Sequence, residues 1–139
     1  MALSDIRVLD LSRILAGPSA TQILGDLGAD VVKIENPKGG DDTRGWGPPF
    51  IETSDGERAE AAYFACCNRN KRSVTLDFNQ PADLEKLKKM VCAADILVEN
   101  FKAGSLHKFG LDYDSLSHLN PRIIYCSITG FGHSGPYAN

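Results

Sequence analysis

Residues 7–35 read RVLDLSRILAGPSATQILGDLGADVVKIE, and this stretch decides the fold. Arg7-Val8-Leu9-Asp10-Leu11 is a short β-favouring run with few polar interruptions. Pro18 then suits the first turn of a helix, where a missing N–H is harmless. Ala20, Ile23, Leu24 and Leu27 recur at i, i+3, i+4 and i+7, which predicts an amphipathic helix with that stripe as its apolar face. Gly28 is placed to end the helix in a left-handed cap. Asp30-Val31-Val32-Lys33-Ile34-Glu35 predicts a second strand. Strand, helix and strand in so short a span make a βαβ unit, which forces the two strands to run parallel.

The pattern continues outward from this unit. Asn36 to about Glu60 is rich in Gly, Pro, Asp and Thr and predicts a long loop, with a helical turn around Ala59–Cys66. A loop of that length in a compact domain is commonly functional or disordered. Ser73–Phe78 predicts a third strand. Pro81 opens a helix whose Leu84, Leu87 and Val91 face the core, with acids early and lysines late to suit the helix dipole. Asp95–Asn100 predicts a fourth strand, followed by a short helix, a helix over Tyr113–Leu119, and a fifth strand over Ile123–Thr129. The expected fold class is α/β: an open parallel sheet, Rossmann-like, with helices on both faces.

Composition narrows the function. The chain has 139 residues, 42% apolar and 24% charged, with a net charge of −3. No bulk attraction to nucleic acid or to an anionic membrane is expected, so an anionic ligand must be held by local groups. No apolar run reaches the ~18 residues of a membrane span. Met1–Asp5 is neither a signal peptide nor an Arg-rich transit segment. A cytoplasmic protein is therefore expected, or a mitochondrial one if a presequence has been removed. Cys66, Cys67, Cys92 and Cys126 form no C-x-x-C and no zinc spacing, so free thiols and no metal are expected.

In a sheet of this kind ligands bind beyond the carboxyl ends of the strands. The Ala16-Gly17-Pro18 turn lies there. It is either a seat for a phosphate or carboxylate or a tight strand-to-helix turn, and spacing alone favours the turn. Asn68–Ser73 carries Arg69, Lys71 and Arg72 just before a strand: a phosphate-facing cluster or a solvated turn, with pattern favouring the second. Gly130–Gly135 matches G-x-G-x-x-G, but Pro136 follows directly and no ribose-binding acid is in view. A flexible glycine loop near a ligand is expected, not a dinucleotide site. His107 and His118 read as surface residues, and no Ser/His/Asp or Cys/His arrangement emerges around His133. Asp10 and Asp77 are conceivable carboxylate nucleophiles, yet hydrogen bonding to nearby backbone N–H groups is the favoured role.

An ordered set of segments resembles the class III CoA-transferase family, the formyl-CoA transferase and carnitine-CoA transferase type. The segments are Val8–Arg13, Leu15–Pro18, Leu27–Glu35, Gly40–Pro49, Asn68–Ser73, Val98–Phe101, Asn120–Arg122 and Ser127–Gly132. Any one is weak; their order and spacing over essentially the whole chain are strong. The resemblance implies a CoA thioester and a carboxylic acid as substrates and no metal or redox cofactor, while charge and hydropathy predict no nucleic-acid or membrane partner. It also implies an interlocked homodimer of chains about three times longer than this one.

In the family an aspartate carboxylate attacks the thioester and an aspartyl-CoA thioester follows. That aspartate lies downstream of the glycine loop, so no catalytic residue is assigned within 1–139. The segment is expected to be the N-terminal part of the CoA-binding Rossmann-like domain, the remainder of the family chain being absent, and to be inactive alone. CoA-contacting positions carried over from the family are Leu15, Ala16, Asn36, Leu76, Asp77, Phe78, Asn79, Asn100, Phe101, Lys102 and Lys108. Two departures matter. Formyl-CoA transferases have a glutamine where Leu15 stands, which argues against formyl or oxalate specificity. They have an arginine where Asn36 stands, so Arg72 and Lys108 are expected to supply phosphate-binding charge. The pattern lies nearer the dicarboxylate-using members, of the succinyl-CoA:glutarate kind. The alternatives are a 2-methylacyl-CoA racemase of the same fold, against which the long Gly40–Pro49 loop speaks, and a non-catalytic CoA-binding fragment.

Overall fold

The computed structural model describes residues 1–138, apart from the side chain of Arg58. The βαβ unit forms as expected: β1 (Arg7–Asp10), α1 (Ala16–Asp26) and β2 (Asp30–Glu35). β1 and β2 are parallel, with Arg7 opposite Asp30 and Asp10 opposite Lys33. Gly28 takes φ +105°. The N–H of Gly28 reaches Gly25 O (2.9 Å) and that of Ala29 reaches Leu24 O (3.0 Å), the paired bonds of a Schellman cap.

The buried face of α1 differs from expectation. Of the apolar stripe, Leu24 packs against the core, whereas Ile23 and Leu27 are 58% and 46% exposed. The inward face is Gly17, Pro18, Thr21, Gln22 and Gly25. Two needs select it. The helix sits so close to its neighbours that a Cβ on Gly17 would lie 2.2 Å from Ser12 Cβ, and one on Gly25 3.0 Å from Asn70 O. The groups beneath it are also polar: Thr21 donates to Asp10 (2.6 Å), and Gln22 bonds Cys66 O (3.0 Å) and Arg69 N (3.1 Å). Gly17→Ala should therefore destabilise the protein by about 1–3 kcal/mol through overpacking. Urea denaturation would measure it, and an unchanged midpoint would count against so close an approach.

Residues 36–68 are more ordered than a loop. They hold a 3₁₀ turn (Asp42–Gly45), an antiparallel hairpin of β3 (Phe50–Glu52) and β4 (Arg58–Ala61), and helix α2 (Ala62–Asn68). Strands of three and four residues are too short to declare a period of two, so the hairpin left no sequence signal.

The main sheet is completed by β5 (Lys71–Thr75), β6 (Ile96–Glu99) and β7 (Ile124–Ser127), with helices α3 (Pro81–Cys92) and α4 (Tyr113–Leu119) between them. The order is β5-β2-β1-β6-β7, all parallel. The chain direction switches sides between β1 and β6, which places a crevice at their carboxyl ends. The third expected strand is shifted: it runs from Lys71 to Thr75, the last bond to β2 is from Leu76 N–H to Glu35 O (2.9 Å), and Asp77 and Phe78 leave the sheet. Alternation along the strands supplies both faces. Leu9, Leu11, Val32, Ile34 and Leu97 pack with Leu87, Val91 and Leu116 from α3 and α4. Val8, Val31 and Val98 pack with Ala29 and Leu24. No helix among the described residues is long and apolar enough to cross a membrane.

Candidate functional site

A cleft of about 200 Å³ opens at the carboxyl ends of β1, β2 and β5. Ser12 and Arg13 line it after β1, Asn36, Gly40 and Asp41 after β2, and Leu76, Asp77, Phe78 and Asn79 after β5, with Phe101 and Phe109 on the far side. Three phenyl rings form its apolar wall. Phe78 lies 6.3 Å from Phe101 and 5.8 Å from Phe109 between ring centres, tilted and edge-on. Asp77 accepts from the backbone and side-chain N–H groups of Asn79, both at 2.9 Å. Those bonds hold its carboxyl below the usual range.

The floor of the cleft is charged and buried. Lys33, 1% exposed, reaches Asp41 Oδ2 at 2.9 Å and Ser12 O at 2.8 Å. Asp41 also accepts from Thr43 N (3.0 Å), Thr43 Oγ1 (2.7 Å) and Ile14 N (3.2 Å). Burial pushes its carboxyl upward, but Lys33 and Thr43 together outweigh burial and hold it low. Ile14 has φ +70°. A β-branched residue in the left-handed region is strained by about 1–3 kcal/mol and persists only where its surroundings impose it. Here Asp41 holds its N–H, and Asn100 clamps the preceding residue from both sides: Arg13 N donates to Asn100 Oδ1 (2.8 Å), and Asn100 Nδ2 donates to Arg13 O (2.7 Å).

Two further ion pairs lie beside this one. Lys71 Nζ meets Asp10 Oδ2 at 2.9 Å, Pro18 O at 2.8 Å and Asn68 Oδ1 at 2.9 Å. Burial pulls that ammonium below its usual range, against the pull of Asp10. Glu35 takes Arg44 through both carboxylate oxygens (2.8 and 2.6 Å), with Ser73 Oγ at 2.5 Å and Asp41 N at 2.9 Å. Burial alone would raise Glu35; Arg44, Ser73 and the Asp41 N–H prevail and bring it to about 2.

Six of the twelve positions singled out in the sequence meet in this cleft: Asn36, Leu76, Asp77, Phe78, Asn79 and Phe101. Asn100 stands behind them as the clamp on Arg13. Lys108 is outside the cleft lining, its ammonium 4.7 Å from the centre of the Phe109 ring. Lys102 faces an adjoining groove with Phe101 and Gly130–Gly132. Leu15 and Ala16 lie at the start of α1, outside the cleft lining, with Leu15 exposed.

Arg72 is not brought to the cleft. Its guanidinium grips Asp30, at the opposite end of β2, at 2.7 Å to each oxygen. The rest of the basic run is paired as well, Arg69 with Asp26 at the surface and Lys71 with Asp10 in the interior. Gly17 makes the close strand-to-helix turn. Asp10 accepts from Ser12 N (3.0 Å), as expected of a structural carboxylate. His107 and His118 are exposed. His133 Nε2 lies 2.9 Å from Ser127 Oγ, whose hydroxyl donates to Glu99. The four cysteines are unbridged.

Arg13, Phe109 and the Lys33–Asp41 floor escaped the sequence reading. Lys33 did leave a signal, being a cation inside the apolar run Val31–Ile34, where only a buried partner makes it tolerable.

Comparison with known proteins agrees with this architecture. Residues 3–139 match the CoA-transferase family III. The chain is 58% identical over 137 residues to a succinate–glutarate CoA-transferase of Agrobacterium fabrum, covering 99% of this chain and 34% of that protein. It is 47% identical to a succinyl-CoA:glutarate CoA-transferase of Mus musculus, covering 99% and 30% respectively. A crystal structure of a CAIB/BAIF family protein from Brucella suis superposes with a TM-score of 0.91 at 58% identity, over 97% of this chain and 35% of that one. The chain thus spans about a third of the length of the curated relatives it matches. With the family pattern matched over nearly every residue and the fold shared at that identity, the chain belongs to the CoA-transferase family III.

Proposed function

We propose that the protein containing these residues moves CoA from an acyl-CoA thioester to a carboxylic acid, and that residues 1–139 are the N-terminal part of its CoA-binding Rossmann-like domain. The observation that carries the proposal is the cleft itself. An aromatic wall, amide and carboxylate groups at the strand ends, and the Arg13 guanidinium converge at the carboxyl edge of a parallel sheet, beside its switch point, where nucleotide-bearing ligands bind. Relatives named for succinyl-CoA, glutarate and mesaconate support a dicarboxylyl donor and acceptor.

In this reading an aspartate outside residues 1–139 attacks the thioester carbonyl carbon. The C–S bond breaks and CoA leaves as thiolate, giving a mixed anhydride. The thiolate then attacks the aspartyl carbonyl, releasing the donor acid and leaving an aspartyl-CoA thioester. The acceptor carboxylate repeats the two steps in reverse, takes the CoA and restores the aspartate. The carboxylates within the chain suit support better than attack. Asp10 and Asp41 are buried in ion pairs, and Asp77 is tied to Asn79. An interlocked homodimer belongs to the same proposal.

Incubating the full-length protein with succinyl-CoA should yield a hydroxylamine-sensitive enzyme–CoA thioester, read by intact mass. Absence of that adduct, with exchange of the α-hydrogen of a 2-methylacyl-CoA, would instead mark the racemase chemistry. CoA binding with neither reaction would mark a binding module.

A further inference from the structure

Most cations near the cleft are already committed. Lys33, Arg44 and Lys71 sit in buried or half-buried pairs with Asp41, Glu35 and Asp10, and Arg72 grips Asp30 on the far side of the strand. Arg13 differs. Its guanidinium lies 5.1 Å from the centre of the Phe101 ring, over the aromatic wall. Its ionic partner is Asp42 at 3.4 Å, and both side chains are about half exposed, 48% and 53%. A solvated pair at that distance contributes little, about 0–1 kcal/mol, so exchanging Asp42 for another anion is cheap. The backbone of Arg13 is nevertheless rigid, held on both sides by Asn100 and followed by the Asp41-bound Ile14. A fixed root and a fork held only by a weak exposed pair, over an aromatic face, suit bidentate capture of a phosphate.

We propose that Arg13 binds a phosphate of the ligand in this cleft, and that Asp42 is its resident competitor, displaced when the nucleotide end of CoA enters. The inference rests on the cleft being the CoA site. It assigns to Arg13 the charge that Asn36 cannot supply and that Arg72 does not bring.

The test is CoA binding by the full-length protein, measured by calorimetry with CoA, 3′-dephospho-CoA and pantetheine. Arg13→Gln should weaken CoA about 10- to 100-fold, the worth of one or more charged hydrogen bonds, while leaving pantetheine unchanged. Asp42→Asn should strengthen CoA about two- to fivefold by removing the competitor. A loss confined to CoA places Arg13 on the 3′-phosphate; equal losses for CoA and the 3′-dephospho analogue place it on the diphosphate. Either supports the proposal. Wild-type binding of CoA that Arg13→Gln leaves within twofold, or an equal loss for pantetheine, overturns it while the site reading stands. Failure of the wild-type protein to bind CoA overturns both. The opposite sign expected of Asp42→Asn separates ligand competition from general damage.

Discussion

Asp10→Ala is expected to destabilise the protein by about 3–5 kcal/mol, enough to unfold a marginally stable domain. Asp10 is 0% exposed, and its carboxylate gathers Lys71, Thr21 and Ser12. Truncation leaves the Lys71 side chain, 2% exposed, with only Pro18 O and Asn68 Oδ1 as partners. An unpaired buried ammonium is costly unless it gives up its proton. Burial already lowers the affinity of Lys71 for that proton, so neutralisation limits the loss without abolishing it. The double variant Asp10→Ala/Lys71→Met should recover part of the stability, because it removes the orphaned charge along with its partner. Urea denaturation of the four proteins gives the coupling directly. Strict additivity would show that the pair is not a unit.

Acid should loosen the same corner of the fold. The Glu35 carboxyl lies at about 2 in the folded chain against an ordinary value of 4.5. A depressed carboxyl contributes stability that is complete above its unfolded value and is lost as pH falls through the folded one. The window is therefore from about 4.5 down to about 2, and Asp41, also held low, acts in the same direction. For Glu35 the full gap corresponds to roughly 3 kcal/mol. Solvent reaches the pair past the exposed Ser73, and screening reduces this to roughly 1–3 kcal/mol. The urea midpoint should hold from pH 7 to about pH 5 and fall steeply by pH 3. Glu35→Gln should lower it at neutral pH and flatten the acid limb. A midpoint equal at pH 5 and pH 3 in the wild-type protein would remove Glu35 and Arg44 from the account of stability.

How much of this was legible beforehand varies with the physics of each element. β2 is visible from Asp30 to Glu35 because a strand covered on both faces is a nearly continuous apolar run. The cap at Gly28 is visible because few residues but glycine accept positive φ cheaply. The position of β5 is not. Leu76 and Phe78 are as strand-like as Val74, and only the pairing partner Glu35 determines where the ladder stops. The inward face of α1 was misjudged for a related reason. Periodicity finds the apolar stripe, but the neighbours here demand small residues and hydrogen-bonding groups, and they select Gly17, Thr21, Gln22 and Gly25 instead.

The cleft divides in the same way. Phe78, Phe101 and the Leu76–Asn79 segment were found through family resemblance, because they follow strands whose ends the topology places together. Arg13 carried no mark separating it from Arg72. Both are arginines in exposed pairs with an aspartate, and they differ in the end of the sheet each side chain reaches.

By itself the sequence determined the parallel α/β architecture, the family and the edge of the sheet at which the cleft opens. These follow from local propensity, hydrophobic period and ordered motifs, which are properties of adjacent residues. Only the tertiary structure decided which charges are spent and which remain available. Asp10 and Lys71 are 61 positions apart along the chain, and an ion pair depends on distance and burial, which no local pattern encodes.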